Sequence, residues 1–430
     1  MLAVNFRSRD RLSDGHLMTI EDNAAHRIKS FAIETTNSAR QWEIANLSLF
    51  FAVPYPNLES LDLYNDAFHN SPSYEPDIDR EDAFLPRLIA LIRTDQLKHL
   101  TLRHVKGWTP TRFGNLTHLT LFGYADGFAL AEVVPTNPAL RNLRLESIKY
   151  RESYSYDPNR LVNLDGQTLE LVRCERGVLS MFTLSSTCSL NITQTVPNSI
   201  ENERGVLVFG CLPEDISEIR CLHGLEELRV RVTRIPRTRG WITVEQKTVG
   251  YSVPTSTTGS GLKPSVTFTL SYHYDSTTPP YGLSFRPRYL FPHSMPWDDV
   301  TRASFDGFYD RFKVRDEAIP KVLPNLRSLA LRRCSSDSLV HFIVPGELGR
   351  LESLRLEDGL SDVGLWNALA KVLEVSSSAG LRLKDLEIVA PGEPSAMITP
   401  EQMERLGRCV RRLEVTKAPG YRPVVMTKCD

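Results

Sequence analysis

The sequence predicts an α/β fold built from repeated units: an irregular solenoid, a horseshoe, in which a parallel sheet of short strands alternates with helical or loop returns. Three observations predict it. A six-residue apolar pattern, L-x-x-L-x-L, recurs along the chain. Its last two apolar positions lie two apart, the spacing that puts side chains on one face of a strand. The stretches between copies are long enough for the crossovers that parallel strands need, and several have the period of a helix.

The copies run in order. Ile28-Phe31-Ile33 is a variant and Leu58-Leu61-Leu63 the first full copy, followed by Leu97-Leu100-Leu102, Leu116-Leu119-Leu121 and Leu140-Leu143-Leu145. Weaker copies lie at Leu169-Leu171 and Leu190-Ile192, and a variant at Leu225-Leu228-Val230. The pattern returns as Leu326-Leu329-Leu331, Leu351-Leu354-Leu356, Leu383-Leu386-Ile388 and Val410-Leu413-Val415. A strand with one apolar face cannot stand alone. Stacking many of them makes that face a continuous core. Spacing between copies varies from 19 to 39 residues, so the array is expected to be irregular.

The returns follow. Residues 79–93 carry a helical stripe of Phe84, Leu88, Leu91 and Ile92, and residues 362–374 one of Leu365, Leu369, Val372 and Leu373. Thr399-Pro400-Glu401-Gln402 reads as a capping box with proline in the first turn, opening a helix toward Cys409. Leucine-rich repeats often place Asn or Cys at the ninth position, where its side chain bonds backbone as the chain leaves the strand. Cys174 and Cys334 stand there, and read as turn residues rather than nucleophiles. The other copies have Asp66, Val105, Tyr124, Ile148 and Gly359, so the turn is expected to be irregular.

Four segments result. Residues 1–25 precede the pattern, 26–232 and 324–430 hold repeats, and 233–323 reads as degenerate repeats with long loops. In that third segment Val266-Phe268-Leu270-Tyr272 alternates as a strand, and the Ser/Thr/Pro/Gly-rich stretch 253–265 reads as a mobile excursion.

Composition bounds the role. Of 430 residues 41% are hydrophobic, and 51 basic residues nearly cancel 52 acidic ones. That is an ordinary folded chain without the basic excess of a nucleic-acid binder. No apolar run is long enough for a signal peptide or a membrane span, and seven scattered cysteines without C-x-x-C fit a reducing compartment. A cytoplasmic or nuclear location is expected. The TTGSG stretch lacks phosphate-loop spacing, and no cofactor is implied. His99 and His118 stand just before the central leucine of neighbouring copies and are expected to be neighbours across two strands. His104 follows on the far side of the first of those strands. No further ligand is apparent, so no metal is expected. No nucleophile, base and orienter come together, so no catalytic residue and no enzyme is expected.

The informative residues are those facing away from the core, at the third, fifth and seventh positions of each copy. Arginines stand there at Arg103, Arg144, Arg229, Arg231, Arg332 and Arg355, with Asp62, Asp385, Glu387 and Glu414 toward the ends. Tyr64, His99, His118 and Phe122 are interleaved. Six arginines on the concave face suit an acidic protein partner. Alternatively they cover strand surface and pair with Glu146, Glu170, Glu227 and Glu357. On either reading these ten Arg, Tyr, His and Phe residues are the candidate partner-binding set.

With the repeat established, the chain resembles the F-box/leucine-rich-repeat proteins, above all the large fungal F-box-like group, from about His26 to the end. The likeness rests on HRIKSFAI, PNLESLDLYND, LKHLTLRHV, NLTHLTLFG, PALRNLRLESI, PNLRSLALRRC and RLESLRLEDG. The resemblance implies a non-enzymatic recognition scaffold whose repeats recruit a substrate for ubiquitination. In that family an N-terminal F-box docks onto a Skp-type adaptor. Residues 1–25 lack the L-P-x-E-[IL]-like opening of an F-box and read as a remnant of its linker. The adaptor is therefore expected as a partner only if an F-box lies upstream. The other expectation is a stand-alone repeat protein outside the ubiquitin system.

Overall fold

The computed structural model describes residues 2–7, 25–35, 54–65, 96–105, 113–123, 125, 127–148, 161–175, 177–196, 212, 219–236, 241–252, 265–275, 297–307, 319–334, 350–357, 363–390, 398–417 and 424–427. The fold is mixed α/β, dominated by parallel strands, with few helices among the described residues. It divides into two compact units, Met1–Thr193 with Gly210–Glu214, and Gln194–Phe209 with Asp215–Asp430.

The first unit holds β1 (Leu2–Arg7), β2 (Ile28–Thr35), β3 (Ser60–Asn65), β4 (His99–Arg103), β5 (His118–Phe122), β6 (Asn142–Glu146), β7 (Val162–Leu164), β8 (Thr168–Val172), β9 (Phe182–Leu184) and β10 (Ser189–Val196). Eight of them lie side by side in chain order, all parallel, while β7 and β9 pair with each other. Register keeps like positions together. Leu61, Leu100, Leu119, Leu143, Leu169 and Leu190 form one buried column. Leu63, Leu102, Leu121, Leu145, Leu171 and Ile192 form the next. Each leucine so buried contributes about 1.5–3 kcal/mol, so a one-residue slip that turned the columns outward would be prohibitive.

The chain leaves β4, β5, β6 and β8 in one way: the residue at the eighth position has a left-handed backbone, as at His104 (φ 56), Gly123 (φ 76), Ser147 (φ 54) and Arg173 (φ 54), whereas the eighth residues of β2, β3 and β10 continue the strand. The N–H of each left-handed residue donates to the carbonyl of the seventh residue of the following strand, namely His104 to Phe122, Gly123 to Glu146, Ser147 to Val172 and Arg173 to Thr193, at 2.7–2.8 Å. At these turns the irregular ninth position thus hides a regular eighth. Left-handed backbone costs a non-glycine residue about 1–2 kcal/mol, which the bond to the next strand offsets. Cys174 behaves as a turn residue: its thiol donates to the carbonyls of Leu145 (3.3 Å) and Val172 (3.6 Å).

One return is the helix α1 (Gly127–Thr136), which the apolar pattern did not single out. Pro135 lies in its last turn, and side chains cap the loose carbonyls: Thr136 donates to Glu132 and Asn137 to Val133, both at 2.8 Å. The fully buried Asn137 also accepts from the Leu116 N–H at 3.0 Å, tying the helix end to the strand before it. The predicted helix at 79–93 lies outside the described residues.

The second unit begins with an antiparallel meander, β11 (Leu225–Pro236), β12 (Trp241–Ser252) and β13 (Val266–Asp275). β11 runs through the segment boundary drawn after Val232; its first half was legible as the Leu225-Leu228-Val230 copy and β13 by its alternation, while β12 was not legible. Residues 253–264, most of the expected excursion, lie outside the described residues. The free edge of β11 then pairs parallel with β14 (Arg302–Asp306). Next come β15 (Ser328–Arg332), β16 (Ser353–Glu357), β17 (Leu383–Ala390) and β18 (Val410–Lys417), all parallel, and an antiparallel β19 (Val424–Thr427). Val300, Ala303 and Phe305 carry the apolar pattern in disguise, and all three are buried. The same turn follows β14 and β15: Gly307 (φ 89) donates to Arg332 at 3.0 Å and Arg333 (φ 50) to Glu357 at 2.9 Å. Cys334 donates to Arg332 (3.4 Å) and Phe305 (3.8 Å).

Helical returns in this unit are α2 (Ile319–Val322), α3 (Val363–Ser378) and α4 (Pro400–Cys409). α3 buries Leu369, Val372 and Leu373 of the expected stripe and anchors itself with the fully buried Trp366. α4 opens with the expected capping box: Gln402 N–H donates to Thr399 Oγ1 at 3.2 Å, and Thr399 N–H to Gln402 Oε1 at 3.0 Å.

Candidate functional site

The repeat buries its fourth and sixth residues and turns its third, fifth and seventh toward solvent, as the alternating burial of β4, β5, β6 and β16 shows. Those three rows are the candidate site. They differ in kind between the two units.

In the first unit the rows on β3, β4 and β5 gather rings. His99 and His118, paired in register at the third position, stack with centroids 4.5 Å apart and planes at 27°. At the other end of the strands Tyr64, Arg103 and Phe122 share the seventh position. The left-handed turn swings His104 onto this row, edge-on to Phe122 at 4.9 Å and 6.2 Å from Tyr64. Arg103 reaches along the sheet to Asp62 at 3.0 Å. Asp62 is poorly solvated, which raises its carboxyl above the usual range although Arg103 pulls the other way. Thr101 and Thr120 lie between the two groups of rings.

The Thr117 hydroxyl sits between the Lys98 carbonyl, at 3.1 Å, and His118 Nδ1, at 2.9 Å, and holds the imidazole in place. Desolvation, the neighbouring His99 and Arg141 hold the His118 pKa below its ordinary value.

The arginines are tied down. Arg144 pairs with Glu170 (2.8 Å) and Glu146 (2.9 Å), and Arg173 joins Glu146 at 2.6 Å. Burial pushes the Glu146 carboxyl up, but the two guanidinium groups outweigh it and hold it below the usual range. In the second unit Arg229 pairs with Glu227 (2.5 Å) and Arg231 with Asp306 (3.1 Å). Arg332 lies 3.7 Å from Glu357. Arg355 bridges Glu357 (2.5 Å) and Glu387 (3.1 Å). All four glutamates named from the sequence are partners. Arg229 also lies over the ring of Tyr251, 4.8 Å from its centroid.

All ten residues of the candidate set therefore stand on the open strand faces. Tyr64, His99, Arg103, His118 and Phe122 come together on β3–β5. Arg144, Arg229, Arg231, Arg332 and Arg355 belong to an ion-pair lattice rather than a bare basic track. Sequence reasoning left out His104, whose role depends on a left-handed turn, and Lys247 and Tyr251, which depend on the register of β12.

The five described cysteines are buried. Burial pushes the Cys174 thiol up to about 11, far from thiolate chemistry at neutral pH. Among the described residues no group of three or more His, Cys, Asp or Glu is arranged to hold a metal, and no helix is long and apolar enough to cross a membrane. Comparison with protein-family models, curated proteins and solved structures finds no match to the chain.

Proposed function

We propose that the chain is a non-enzymatic protein-recognition scaffold, an irregular leucine-rich-repeat solenoid that offers the open face of its strands to a partner protein. The observation that carries this reading is the ring cluster of Tyr64, His104 and Phe122 on β3–β5, with Arg103 among them. Aromatic and arginine side chains on a rigid sheet are what binding hot spots are made of, because they bury much area at little entropic cost. β3, β4 and β5 each pair with a neighbouring strand on both sides, so contacts made on them are preorganised. By the resemblance of its repeats to F-box/leucine-rich-repeat proteins, the bound protein would be a substrate for ubiquitination, in a cytoplasmic or nuclear setting. A stand-alone binder outside that system is the other reading. Co-purification of a Skp-type adaptor with the product of the native gene separates the two.

The docking face is tested by a photo-activated cross-linking residue placed at Phe122, with a control at Asn191 on the same face. The expected result is one protein cross-linked at position 122, not at 191, and lost when Tyr64 and His104 are replaced by alanine. Indiscriminate cross-linking at both positions sinks the reading.

A further inference from the structure

The ion-pair lattice of the second unit is incomplete at one place. Along the seventh-position row, charges alternate across the strands: Glu357 on β16, Arg332 on β15, Asp306 on β14 and Arg231 on β11. The next residue in the row is Lys247 on β12, directly opposite Arg231. Two cations face each other there with no carboxylate between them, an arrangement that disfavours a sheet.

Elsewhere like charges are individually relieved. Glu387 and Glu414 also face each other, but each is paired with an arginine, Glu387 with Arg355 at 3.1 Å, shared with Glu357, and Glu414 with Arg412 at 2.8 Å. Around Lys247 the carboxylates are shared. Asp306 serves both Arg231 (3.1 Å) and Arg333 (2.5 Å). Glu227 serves both Arg229 (2.5 Å) and Arg302 (3.7 Å). Lys247 itself makes no ion pair among the described residues, and Glu245, two residues away on its strand, makes none either. Five cations (Arg229, Arg231, Lys247, Arg302 and Arg333) thus meet three carboxylates (Glu227, Glu245 and Asp306), an excess of two. Lys247 and Arg231 are exposed, the latter by 61% of its side chain. Thr269 on β13 flanks Lys247 in register and adds a hydroxyl donor to the row.

We propose that the open face of β11 and β12 binds an acidic segment of a partner protein, whose carboxylates complete the lattice between Arg231 and Lys247. The geometry suits an extended segment with carboxylates two residues apart. Arg229 and Arg231 are themselves two apart on one strand, a separation of about 7 Å. This inference rests on the protein-docking reading above and names the partner's chemistry. It also narrows the arginine set of the second unit: Arg229 and Arg231 act on the ligand, and Arg332 and Arg355 hold the sheet.

The test is fluorescence anisotropy of a labelled peptide of alternating glutamate and serine, titrated with the full chain. The controls are the glutamine–serine analogue and a phosphoserine–alanine analogue. The expected result is binding of the glutamate peptide alone, weakened by salt as exposed charges are screened. Affinity falls roughly tenfold in the double variant Arg231→Gln with Lys247→Gln, and stays unchanged in Arg412→Gln. Should the double variant fail to fold, Lys247→Gln alone, at an exposed position without an ion pair, is expected to lose about threefold. No binding of the glutamate peptide, equal binding of the glutamine peptide or an unaffected Lys247 variant overturns the proposal. Preference for phosphoserine overturns it in favour of a phosphoprotein partner. Cross-linking at Phe122 reports on the docking reading independently, because that residue belongs to the other unit and none of these variants touches it.

Discussion

His104 and Gly123 occupy successive left-handed turns, and the ring of the first lies where a side chain on the second would begin. A Cβ on Gly123 would stand 2.2 Å from His104 Nδ1. Gly123 is what lets His104 lie across the turn and reach Phe122.

Three glycines with the same sign of φ should therefore differ on substitution by alanine. Gly166 (φ 81) has nothing near its missing Cβ, so Gly166→Ala pays only backbone strain, about 1–2 kcal/mol. Gly123→Ala adds displacement of the His104 ring, and should abolish cross-linking at Phe122 as well as lower the melting temperature. Gly307→Ala should be the worst, because its Cβ would meet the Val232 carbonyl oxygen at 2.3 Å, and that atom belongs to a paired strand. Melting temperatures in the order Gly166→Ala, Gly123→Ala, Gly307→Ala, highest first, bear this out; equal values contradict it.

His118 should give the fold an acid limb. Its pKa is lowered by desolvation, His99 and Arg141, so the unfolded chain binds a proton more readily than the folded one. Its share of stability is complete above the ordinary histidine value and is lost as pH falls through the lowered one. The groups facing it are His99, Thr117 and Arg141, with Asn142 next in its row. Melting the wild type and His118→Gln between pH 7.5 and 5 checks this. The variant should lose less stability on acidification than the wild type.

Asn137 joins a helix end to a strand through one amide. Asn137→Ala leaves the Leu116 N–H and the Val133 carbonyl without that partner in a fully buried site, a cost of about 1–3 kcal/mol. Asn137→Asp keeps the acceptor and loses the donor, so it should also destabilise. Denaturant unfolding with an unchanged m-value and a lower midpoint is the expected result for both.

Cys174 should resist alkylation in the native chain and react once unfolded. Its raised thiol carries a stability consequence at the alkaline end. That contribution is intact below the ordinary thiol pKa and is lost as pH climbs toward about 11, because the unfolded chain ionises first. Mass-spectrometric mapping of iodoacetamide adducts at pH 8, with and without denaturant, gives the comparison. Rapid native labelling of Cys174 would contradict it.

Trp366 is the fully buried indole of α3, yet its Nε1 has no hydrogen-bond partner among the described residues. Trp366→Ala should cost about 3–5 kcal/mol through the cavity it leaves. Trp366→Phe removes the unpartnered N–H along with some volume, and should cost much less. A phenylalanine variant as unstable as the alanine one would show that the indole N–H is satisfied in solution.

Most of the parallel strands were legible because leucine repeats there with a period of two; β1, within the residues 1–25 read as a linker, was not. The capping box at Thr399 and the turn cysteines were legible because each is a local arrangement of side chain and backbone. β12 was not. Its buried face carries Gln246, Thr248 and Gly250 where a strand usually shows aliphatics, so the apolar alternation is broken. β14 was hidden by Val300, Ala303 and Phe305 in place of leucines. The eighth-position turn escaped notice because its occupants are His, Gly, Ser and Arg: a backbone bond to the next strand, rather than residue type, sets the conformation. At the candidate site the same division holds. The neighbourhood of His99 and His118 follows from counting residues along parallel strands. Lys247 opposite Arg231 depends on antiparallel register, which no count along the chain supplies.

The turn bonds after β4, β5, β6, β8, β14 and β15 all point one way, from a strand's end to its neighbour in the sheet that comes later in the chain. During synthesis a newly made strand therefore waits, its turn amide unsatisfied, until its successor leaves the ribosome. Folding of the array trails translation by one repeat and always leaves its newest member exposed. Hydrogen exchange at the Ser147 amide should be fast in a nascent chain arrested before Val172 and slow in one arrested well beyond it.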